Sequence, residues 1–223
     1  MNSQYRVVVI GGGVVGASVL YHLAKMGWTD VALIERSVLT AGSSWHAAGG
    51  IHALNADPNM AALQAYTIDL LTEIEEESGQ NIGLHMTGGL TLAGTPERWE
   101  WLQSAYRVFQ SIGIEDCELL TPQQAQERCP IMSTDGVLGA MWADREGYVD
   151  TTGTVHAYAT AAKKRGAKVF EHTKVEALEQ VHDGWIVKTD KGDIRCEHVV
   201  NAAGLWAKQV GRMAGIELPV SPL

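Results

Sequence analysis

Three glycines near the N-terminus constrain this chain more than any other feature of its sequence. An apolar run at residues 7–10 leads into glycines with the spacing G-x-G-x-x-G, namely Gly11, Gly13 and Gly16. A helical pattern follows, and a second apolar run at residues 31–34 ends in the acid Glu35. This order of strand, glycine turn, helix and strand with a terminal acid is the fingerprint of a dinucleotide site.

Each residue of the fingerprint has its own physical role. Gly11 permits the tight turn, Gly13 lets the backbone approach a pyrophosphate, and Gly16 allows helix and strand to pack closely. The pyrophosphate would lie at the helix N-terminus, where unpaired N–H groups and the helix dipole favour an anion. Glu35 is placed to accept hydrogen bonds from ribose hydroxyls, and its charge disfavours the 2′-phosphate of NADP. The motif alone does not distinguish FAD from NAD.

Composition predicts a globular protein and narrows its partners. The chain has 223 residues, of which 46% are hydrophobic and 19% charged, and its net charge is −9. This acidic balance disfavours nucleic acid or an anionic membrane as a partner, and no apolar run approaches the ~20 residues that span a bilayer. The first strand begins close to Met1, so we expect no signal or transit peptide. The three scattered cysteines predict neither a disulfide framework nor a zinc site, which favours a reducing, cytoplasmic location.

Periodicity and turn residues predict the remaining elements. The first predicted helix covers residues 14–26, with apolar positions at Val15, Val19, Leu23 and Met26. A long helix is predicted to begin at Asp57, and two shorter ones at Pro96 and Pro122. The last two predicted helices cover residues 154–165 and 205–214. The predicted strands cover 88–93, 137–142, 168–170, 174–179, a hairpin of 185–189 with 193–196, and a separate strand from His198. The acidic run at 73–77 is interpreted as a solvated face. We interpret Tyr148 and Asp150 as parts of a structural turn.

A second unusual stretch lies at residues 40–50, where small and polar residues surround Trp45 and His46. Small residues let backbone N–H groups face a ligand closely, so the segment could follow a bound dinucleotide away from the ribose. It could equally be a flexible loop with an incidental histidine. The composition of the segment leaves both interpretations open.

Three stretches together carry a family resemblance: the glycine motif with Glu35, the segment 41–49 (AGSSWHAAG), and the segment 199–206 (VVNAAGLW). The chain resembles FAD-dependent amine oxidoreductases of the D-amino-acid-oxidase superfamily, and within it the dimethylglycine and sarcosine dehydrogenase/oxidase group. The resemblance extends over essentially the whole chain, and the histidine segment is its most specific part. It implies an α/β Rossmann-like FAD-binding domain with part of an antiparallel α+β substrate domain.

The resemblance also implies roles for individual residues. It implies that FAD is the cofactor, that Arg36 lies beside the ribose-binding Glu35, and that His46 bonds covalently to the flavin. The other residues implied to contact the cofactor are Gly11, Gly13, Val14, Val15, Gly16, Ser43, Ser44, Trp45, Ala47, Gly49, Val175, Ala202, Ala203, Gly204 and Trp206. The resemblance assigns no catalytic acid or base to this chain.

The implied reaction is oxidation of an N-methyl amine such as dimethylglycine or sarcosine, in which a hydride equivalent passes to flavin N5 and an iminium forms. Members of this group are much longer, so we expect this chain to be an N-terminal portion. The alternatives are a truncated chain or natural fragment, a partner chain that supplies the missing half, and a homo-oligomer. Folate is an implied partner of the full-length relatives. We expect residues 1–78 and 150–223 to form a discontinuous FAD-binding domain and residues 79–149 to form the partial substrate domain.

Two other functions remain open from the sequence. A non-catalytic relative could use the same fold for binding or regulation, as the regulatory subunit of pyruvate dehydrogenase phosphatase resembles this group in that way. An NAD-dependent dehydrogenase would share the glycine motif, but it predicts a more regular alternation of strands and helices after Glu35. The glycine-rich histidine segment and the long excursion after it favour a flavoprotein.

Overall fold

The structure is a computed structural model that describes residues 4–55 and 57–221. The strands found in these residues are β1 (Gln4–Ile10), β2 (Val31–Ile34), β3 (Gly50–Ile51), β4 (Gly89–Ala93), β5 (Cys117–Leu120), β6 (Gly139–Ala143), β7 (Gly147–Tyr148), β8 (Lys168–Phe170), β9 (Val175–Val181), β10 (Gly184–Thr189) and β11 (Ile194–Asn201). The helices are α1 (Val14–Lys25), α2 (Pro58–Ser78), α3 (Pro96–Ser111), α4 (Pro122–Arg128), α5 (Thr151–Lys164) and α6 (Ala207–Met213), with short 3₁₀ turns at Ser44–His46 and Gly204–Trp206.

The chain divides into two compact units, and the first contains residues 1–48, 74–82 and 150–223. Its sheet has the order β8-β2-β1-β11-β10-β9, in which the first four strands are parallel and the last two are antiparallel. β1 and β2 are apolar along most of their length and buried, as expected for central parallel strands covered on both faces. This architecture confirms the predicted Rossmann-like α/β fold.

Parallel pairing brings three loops to one edge of this sheet. β1 lies between β2 and β11, so the segments that follow these three strands leave at the same carboxyl edge. Those segments are the glycine turn, the loop from Glu35 to His46, and the turn at 202–206. Ligands of open α/β sheets bind in the crevice outside the carboxyl ends of the strands.

The last strand differs from its prediction. Residues 193–196 and the run from His198 form one strand, β11, because Arg195 through Asn201 pair along β1 from Gln4 to Ile10. The first part of the same strand also pairs with β10. Tertiary pairing on both sides makes the strand continuous, although charged Glu197 interrupts its apolar pattern.

The buried face of α1 also differs from its prediction. Small residues and two larger ones form it, namely Gly16, Ala17, Leu20, Tyr21 and Ala24. Val15 and Met26 are exposed instead, by 62% and 74%. The close approach of α5, shown by the Tyr21 and Tyr158 rings at 5.6 Å, favours the small side chains.

The acidic end of α2 is not simply a solvated face, so that prediction is wrong for two of its residues. Glu77 accepts a hydrogen bond from the Tyr21 hydroxyl at 2.9 Å and pairs with Arg165 at 2.6 Å. Glu75 accepts the backbone N–H of Ile82 at 3.0 Å. Hydrogen bonding to neighbouring elements, which a charge pattern cannot reveal, accounts for the difference.

The second unit contains residues 49–73 and 83–149. Its three-stranded antiparallel sheet has the order β4-β6-β5, and β3 pairs with β7. The side chains of Leu102 and Phe109 on α3 are buried against Met141 of β6, which confirms them as core residues. Strands β3 and β5 lacked a clear sequence pattern and were not predicted.

The boundaries of the units differ from those of the predicted domains in one main respect. Residues 49–73 group with the second unit, whereas the prediction placed them in the FAD-binding domain, and residues 79–82 group with the first. The reason is local packing, since Ala61 and Ile68 of α2 belong to the core of the second unit. The boundary near residue 150 coincides with the prediction. No helix in the described part of the chain is long and apolar enough to cross a membrane.

Candidate cofactor site

The glycine turn is held in a conformation and a space that admit only glycine. Gly11 has φ 115°, and a Cβ there would lie 2.3 Å from the carbonyl oxygen of Ala202. A Cβ on Gly16 would lie 1.9 Å from the carbonyl oxygen of Gly11. These distances are well below van der Waals contact, so the turn requires glycine at both positions. A Cβ on Gly13 would lie 3.1 Å from the Ser44 hydroxyl, which is tight but less severe.

Glu35 is fixed beside this turn by its own hydrogen bonds. One carboxylate oxygen accepts the N–H of Gly12 at 2.7 Å, and the other accepts the N–H of Ser37 at 2.8 Å. An ionised carboxylate offers about four lone-pair sites, so two remain for other donors. The side chain therefore links β2 to the glycine turn and retains acceptors for ribose hydroxyls.

The loop after Glu35 is fastened to the glycine turn along its length. Leu39 donates its N–H to the Glu171 carboxylate at 2.7 Å, and Thr40 donates its N–H to the carbonyl of Gly12 at 2.9 Å. Thr40 is 7% exposed and has φ 71°, an uncommon conformation for a β-branched residue. That Thr40 keeps this unfavourable conformation indicates that the surrounding hydrogen bonds determine the backbone conformation of the loop.

Ser44 connects the same loop to the start of α1. Its hydroxyl oxygen accepts the N–H of Val14 at 2.9 Å, which satisfies one of the unpaired donors of the helix N-terminus. The hydroxyl keeps its own proton for donation to a ligand. His46 is exposed at the end of this 3₁₀ turn, and its ring lies 3.7 Å from the ring of Trp45. The structure thus ties the histidine segment to the helix N-terminus, which the sequence left open.

A groove of about 420 Å³ lies at this edge of the first unit. Of the residues predicted to contact the cofactor, it is lined by Gly11, Gly13, Val14, Val15, Glu35, Arg36, Ser43, Ser44, Val175, Ala202, Ala203, Gly204 and Trp206. Five predicted residues lie outside its lining: Gly16 packs beneath the turn, Trp45, His46 and Ala47 are exposed beyond Ser44, and Gly49 belongs to the second unit. The exposure of Val14 and Val15 is explained by this groove.

Several residues that line the groove were not predicted. They include Gly12, Ser37, Ala41, Gly42, Thr173, Lys174, Leu205, Gln209, Val210 and Met213. Gln209, Val210 and Met213 share one face of α6, because residues three and four apart on a helix are neighbours. The position of α6 after a small-residue turn was the available signal for this wall.

The charges of the groove differ from those of the whole chain. The chain carries a net charge of −9, yet the groove lining includes Arg36 and Lys174 and a single carboxylate, Glu35. The excess of positive charge, the glycine turn and the helix N-terminus fit an anionic diphosphate. The described residues contain no cluster of histidine, cysteine and acidic side chains that could hold a metal ion.

Asp150 has a structural role, as its interpretation from the sequence indicated. Its carboxylate accepts the N–H groups of Thr152 at 2.9 Å and Gly153 at 3.0 Å and so caps α5. Cys196 is buried in the first unit and its thiol is free. Burial raises the pKa of this thiol to about 11, so it is protonated at neutral pH.

Comparison with known protein families decides the family. The model of the FAD dependent oxidoreductase family, DAO, matches residues 6–223. The chain belongs to this family. The membership confirms the resemblance and the predicted cofactor, FAD, and sets aside the NAD-dependent alternative.

Within this family, the chain is similar to dehydrogenases of N-methyl amines and to a regulatory subunit. The chain is 39% identical over 221 residues to dimethylglycine dehydrogenase, mitochondrial, from Homo sapiens, covering 98% of this chain and 25% of the relative. It is 36% identical over 225 residues to human sarcosine dehydrogenase, mitochondrial, covering 98% of this chain and 24% of the relative. It is also 33% identical to the regulatory subunit of mouse mitochondrial pyruvate dehydrogenase phosphatase, over 94% of this chain and 24% of the relative. The chain therefore spans about a quarter of the length of these relatives.

A solved structure supports the fold. The L-proline dehydrogenase from P. horikoshii is similar with a TM-score of 0.89 and 31% identity, covering 97% of this chain and 57% of that one. The glycine turn and the surrounding groove described above fit the FAD that the family description names.

Proposed function

We propose that this chain supplies the FAD-binding portion of an amine oxidoreductase that oxidises an N-methyl amine such as dimethylglycine or sarcosine. The observation that carries the proposal is the groove, where the glycine turn, Glu35 and the Ser44-anchored histidine segment meet. The similarity to dimethylglycine and sarcosine dehydrogenases supports the choice of substrate class. Bound FAD would supply the hydride acceptor, at flavin N5, and the oxidised amine would leave as an iminium.

Residues of the groove would bind and orient the cofactor. Glu35 would accept hydrogen bonds from ribose hydroxyls at the carboxylate lone pairs that the N–H groups of Gly12 and Ser37 leave free. The N-terminus of α1 and the Ser44 hydroxyl donate to the pyrophosphate. Val175 and the turn from Ala202 to Gly204 form apolar and small-residue walls that let the cofactor approach the backbone.

We further propose that His46 bonds covalently to the 8α-methyl carbon of the flavin: a methyl C–H bond would break, an imidazole N–C bond would form with loss of the imidazole proton, and the flavin ring would accept the two electrons. The imidazole is solvent-exposed, and its segment is fastened through Ser44 to the N-terminus of α1, where a pyrophosphate would bind. A neutral imidazole is nucleophilic at the ring nitrogen that carries no proton. A covalent bond would prevent loss of the cofactor.

Acid precipitation tests the covalent bond directly. The chain is denatured in acid, and flavin in the pellet and supernatant is measured by absorbance and by intact mass. We expect a yellow pellet with the mass of one FAD added, lost in His46→Ala and retained in the matched control His182→Ala, an exposed histidine outside the groove. Flavin released into the supernatant would overturn the covalent bond and leave FAD binding. No flavin in either fraction, even after incubation with FAD, would overturn the proposal for this chain.

A second candidate function is a non-catalytic FAD-binding or regulatory subunit, favoured by the likeness to the phosphatase regulatory subunit. Anaerobic addition of dimethylglycine or sarcosine separates the two. Loss of the visible flavin absorption would support the oxidoreductase, and an unchanged spectrum of the FAD-loaded chain would show that this chain alone does not oxidise the amine. The same proposal includes a partner chain or homo-oligomer, which size-exclusion chromatography tests. It includes folate as a further ligand, which ligand titration tests. It also includes a cytoplasmic location, which cell fractionation tests.

A further inference from the structure

One cation of the groove is held by an aromatic face. The guanidinium carbon of Arg36 lies 3.8 Å from the centroid of the Trp206 ring, within the range of a cation–π contact. Arg36 is exposed and Trp206 is half-buried, and both side chains line the groove. A Cβ on Gly42 would lie 3.7 Å from the Trp206 indole ring.

The charge of Arg36 is not neutralised within the protein. Among the residues that the structure describes, no carboxylate pairs with its guanidinium. Glu35, its neighbour in sequence, instead accepts the backbone donors of Gly12 and Ser37. A guanidinium stacks on an indole through its flat face. The five N–H donors at the edge of the guanidinium plane then stay available to an anion.

The stack lies beside the glycine turn. Arg36 follows β2 and Trp206 follows β11, and these two strands flank β1, which ends in the turn. Contact between the two side chains therefore joins the loops on both sides of the turn. An anion bound at the turn and this cation would share one groove.

We propose that Arg36 binds a phosphate group of the cofactor and that Trp206 is a positioning residue that presents the guanidinium. This inference rests on the proposed FAD binding and adds the means by which the groove distinguishes a nucleoside diphosphate from the nucleoside without phosphate. Arginine suits the role better than lysine, because its planar fork matches phosphate oxygens and stacks on an aromatic ring. Trp206 acts through Arg36 and need not contact the cofactor.

Binding of three ligands tests the proposal. ADP carries the diphosphate on adenosine, adenosine is the same nucleoside without phosphate, and FAD carries the diphosphate together with the flavin. Dissociation constants are measured by calorimetry in a His46→Ala background, so that binding is reversible. We expect Arg36→Gln to weaken the binding of ADP and FAD by about 10- to 100-fold, as for loss of a charge-assisted hydrogen bond, and to leave the binding of adenosine unchanged.

The Trp206 variants test positioning. Trp206→Leu should weaken ADP by about 3- to 30-fold, whereas Trp206→Phe, which keeps an aromatic face, should stay within about 3-fold of the starting chain. In the Arg36→Gln background, Trp206→Leu should have almost no further effect, because its action passes through the guanidinium. Trp206→Phe also keeps the test usable if Trp206→Leu does not fold.

The chain offers a matched control for both substitutions. Arg6 stacks on Trp28 in the same unit, also with 3.8 Å from guanidinium carbon to ring centroid, and neither residue lines the groove. Arg6→Gln and Trp28→Leu remove an equivalent stack and should leave the affinity for ADP unchanged. Circular dichroism and thermal melting of all variants establish that they are folded.

Four results would overturn the inference. Equal affinities of Arg36→Gln and the starting chain for ADP and FAD would remove the phosphate role while leaving FAD binding intact. An equal loss of adenosine affinity would place the Arg36 contact on the nucleoside, and undiminished weakening of ADP binding by Trp206→Leu in the Arg36→Gln background would show that Trp206 acts on the fold instead. If the starting chain binds neither FAD nor ADP, the proposed function fails, and this inference fails with it.

Discussion

At the scale of single residues, two glycines with nearly the same backbone conformation have very different surroundings. Gly11 has φ 115° and Gly192 has φ 112°, so both lie in the region that disfavours other residues. A Cβ on Gly11 would meet the Ala202 carbonyl oxygen at 2.3 Å, but a Cβ on Gly192 would meet nothing within 4 Å. Glycine is required at position 11 both for the backbone conformation and for the close approach of the Ala202 carbonyl. At position 192 it is required for the backbone conformation alone.

We expect Gly192→Ala to lower the free energy of unfolding by about 1 kcal/mol, the cost of the backbone conformation. Gly11→Ala should cost about 3 kcal/mol or more, because the Cβ also displaces the turn that follows β11. Urea unfolding followed by circular dichroism measures both values. Similar costs for the two variants would contradict the role of close approach at Gly11.

Glu146 is an acid whose environment opposes its charge. It belongs to the second unit, where a Cβ on Gly89 would lie 2.0 Å from its carboxylate oxygen. Burial raises the pKa of this carboxyl from 4.5 to about 7. A raised pKa means that the folded state holds the proton more tightly than the unfolded state, so its contribution to stability is full below pH 4.5 and is lost as the pH rises through 7.

Glu146→Gln should therefore be more stable than the native chain at pH 8, by about 1–2 kcal/mol once partial solvent exposure is allowed for, and nearly equal to it at pH 4. Urea unfolding between pH 4 and 9 measures the difference. Glu217 is the matched control, because Arg212 and Lys208 lower its pKa to about 2 and Glu217→Gln should show no change across the window from pH 5 to 9. A constant difference at all pH values would contradict the buried carboxyl.

At the scale of elements, the last turn of α2 is joined to α1 and α5 by one side chain. Glu77 accepts the Tyr21 hydroxyl at 2.9 Å and the Arg165 guanidinium at 2.6 Å, and the Arg165 hydrogen bond is the main cause of its lowered pKa. Lys164 adds hydrogen bonds to the last carbonyls of α2, at 2.8 Å to Glu77 and 3.0 Å to Ser78. These contacts satisfy acceptors that a helix C-terminus leaves unpaired.

Glu77→Gln should lower the free energy of unfolding by about 1–2 kcal/mol at pH 7, because it removes a charge-assisted hydrogen bond. A lowered carboxyl pKa contributes stability above the unfolded value of 4.5 and loses it as the pH falls through the folded value, so the cost should shrink in acid. Unfolding curves at pH 7 and pH 4 provide the measurement. Glu76→Gln, at an exposed neighbouring residue, should have little effect at either pH.

At the scale of the whole molecule, every residue that lines the groove belongs to the first unit, although that unit is assembled from three separate segments of the chain. A ligand that binds only the folded state stabilises it by mass action. The stabilisation is about 2.7 kcal/mol at a free concentration 100-fold above the dissociation constant. Local opening of the unit that binds should be suppressed most strongly.

Hydrogen exchange with and without FAD should therefore show the largest protection in residues 4–48 and 150–221, and smaller protection in residues 83–149. The groove predicts the strongest effects at the glycine turn, at 35–44 and at 173–175. A His46→Ala chain saturated with ADP is the control for the diphosphate part alone. Protection that is strongest in residues 83–149 would contradict the assignment of the groove as the cofactor site.

Features that depend on local chemistry could be predicted from the sequence. The glycine spacing and Glu35 required a particular turn, and Pro96 and Pro122 indicated helix starts that the caps Thr95 and Thr121 complete. The buried face of α1 could not be predicted from hydrophobic periodicity, because the close approach of α5 selects small side chains there as much as apolar ones. Strand β5 was missed because its pattern is set by pairing with β6, which lies more than 15 residues away.

The sequence by itself determined the dinucleotide turn, the acid that follows β2, and the likeness to a flavoprotein family, since each resides in a short run of residue types with a fixed physical requirement. Only the tertiary structure decided how the separate runs meet. Parallel pairing of β1 with β2 and β11 brought three distant loops to one edge. Hydrogen bonds through space then fastened Ser44 to Val14, and packing set Arg36 on Trp206. Such contacts join residues far apart in the chain, and no local pattern encodes them.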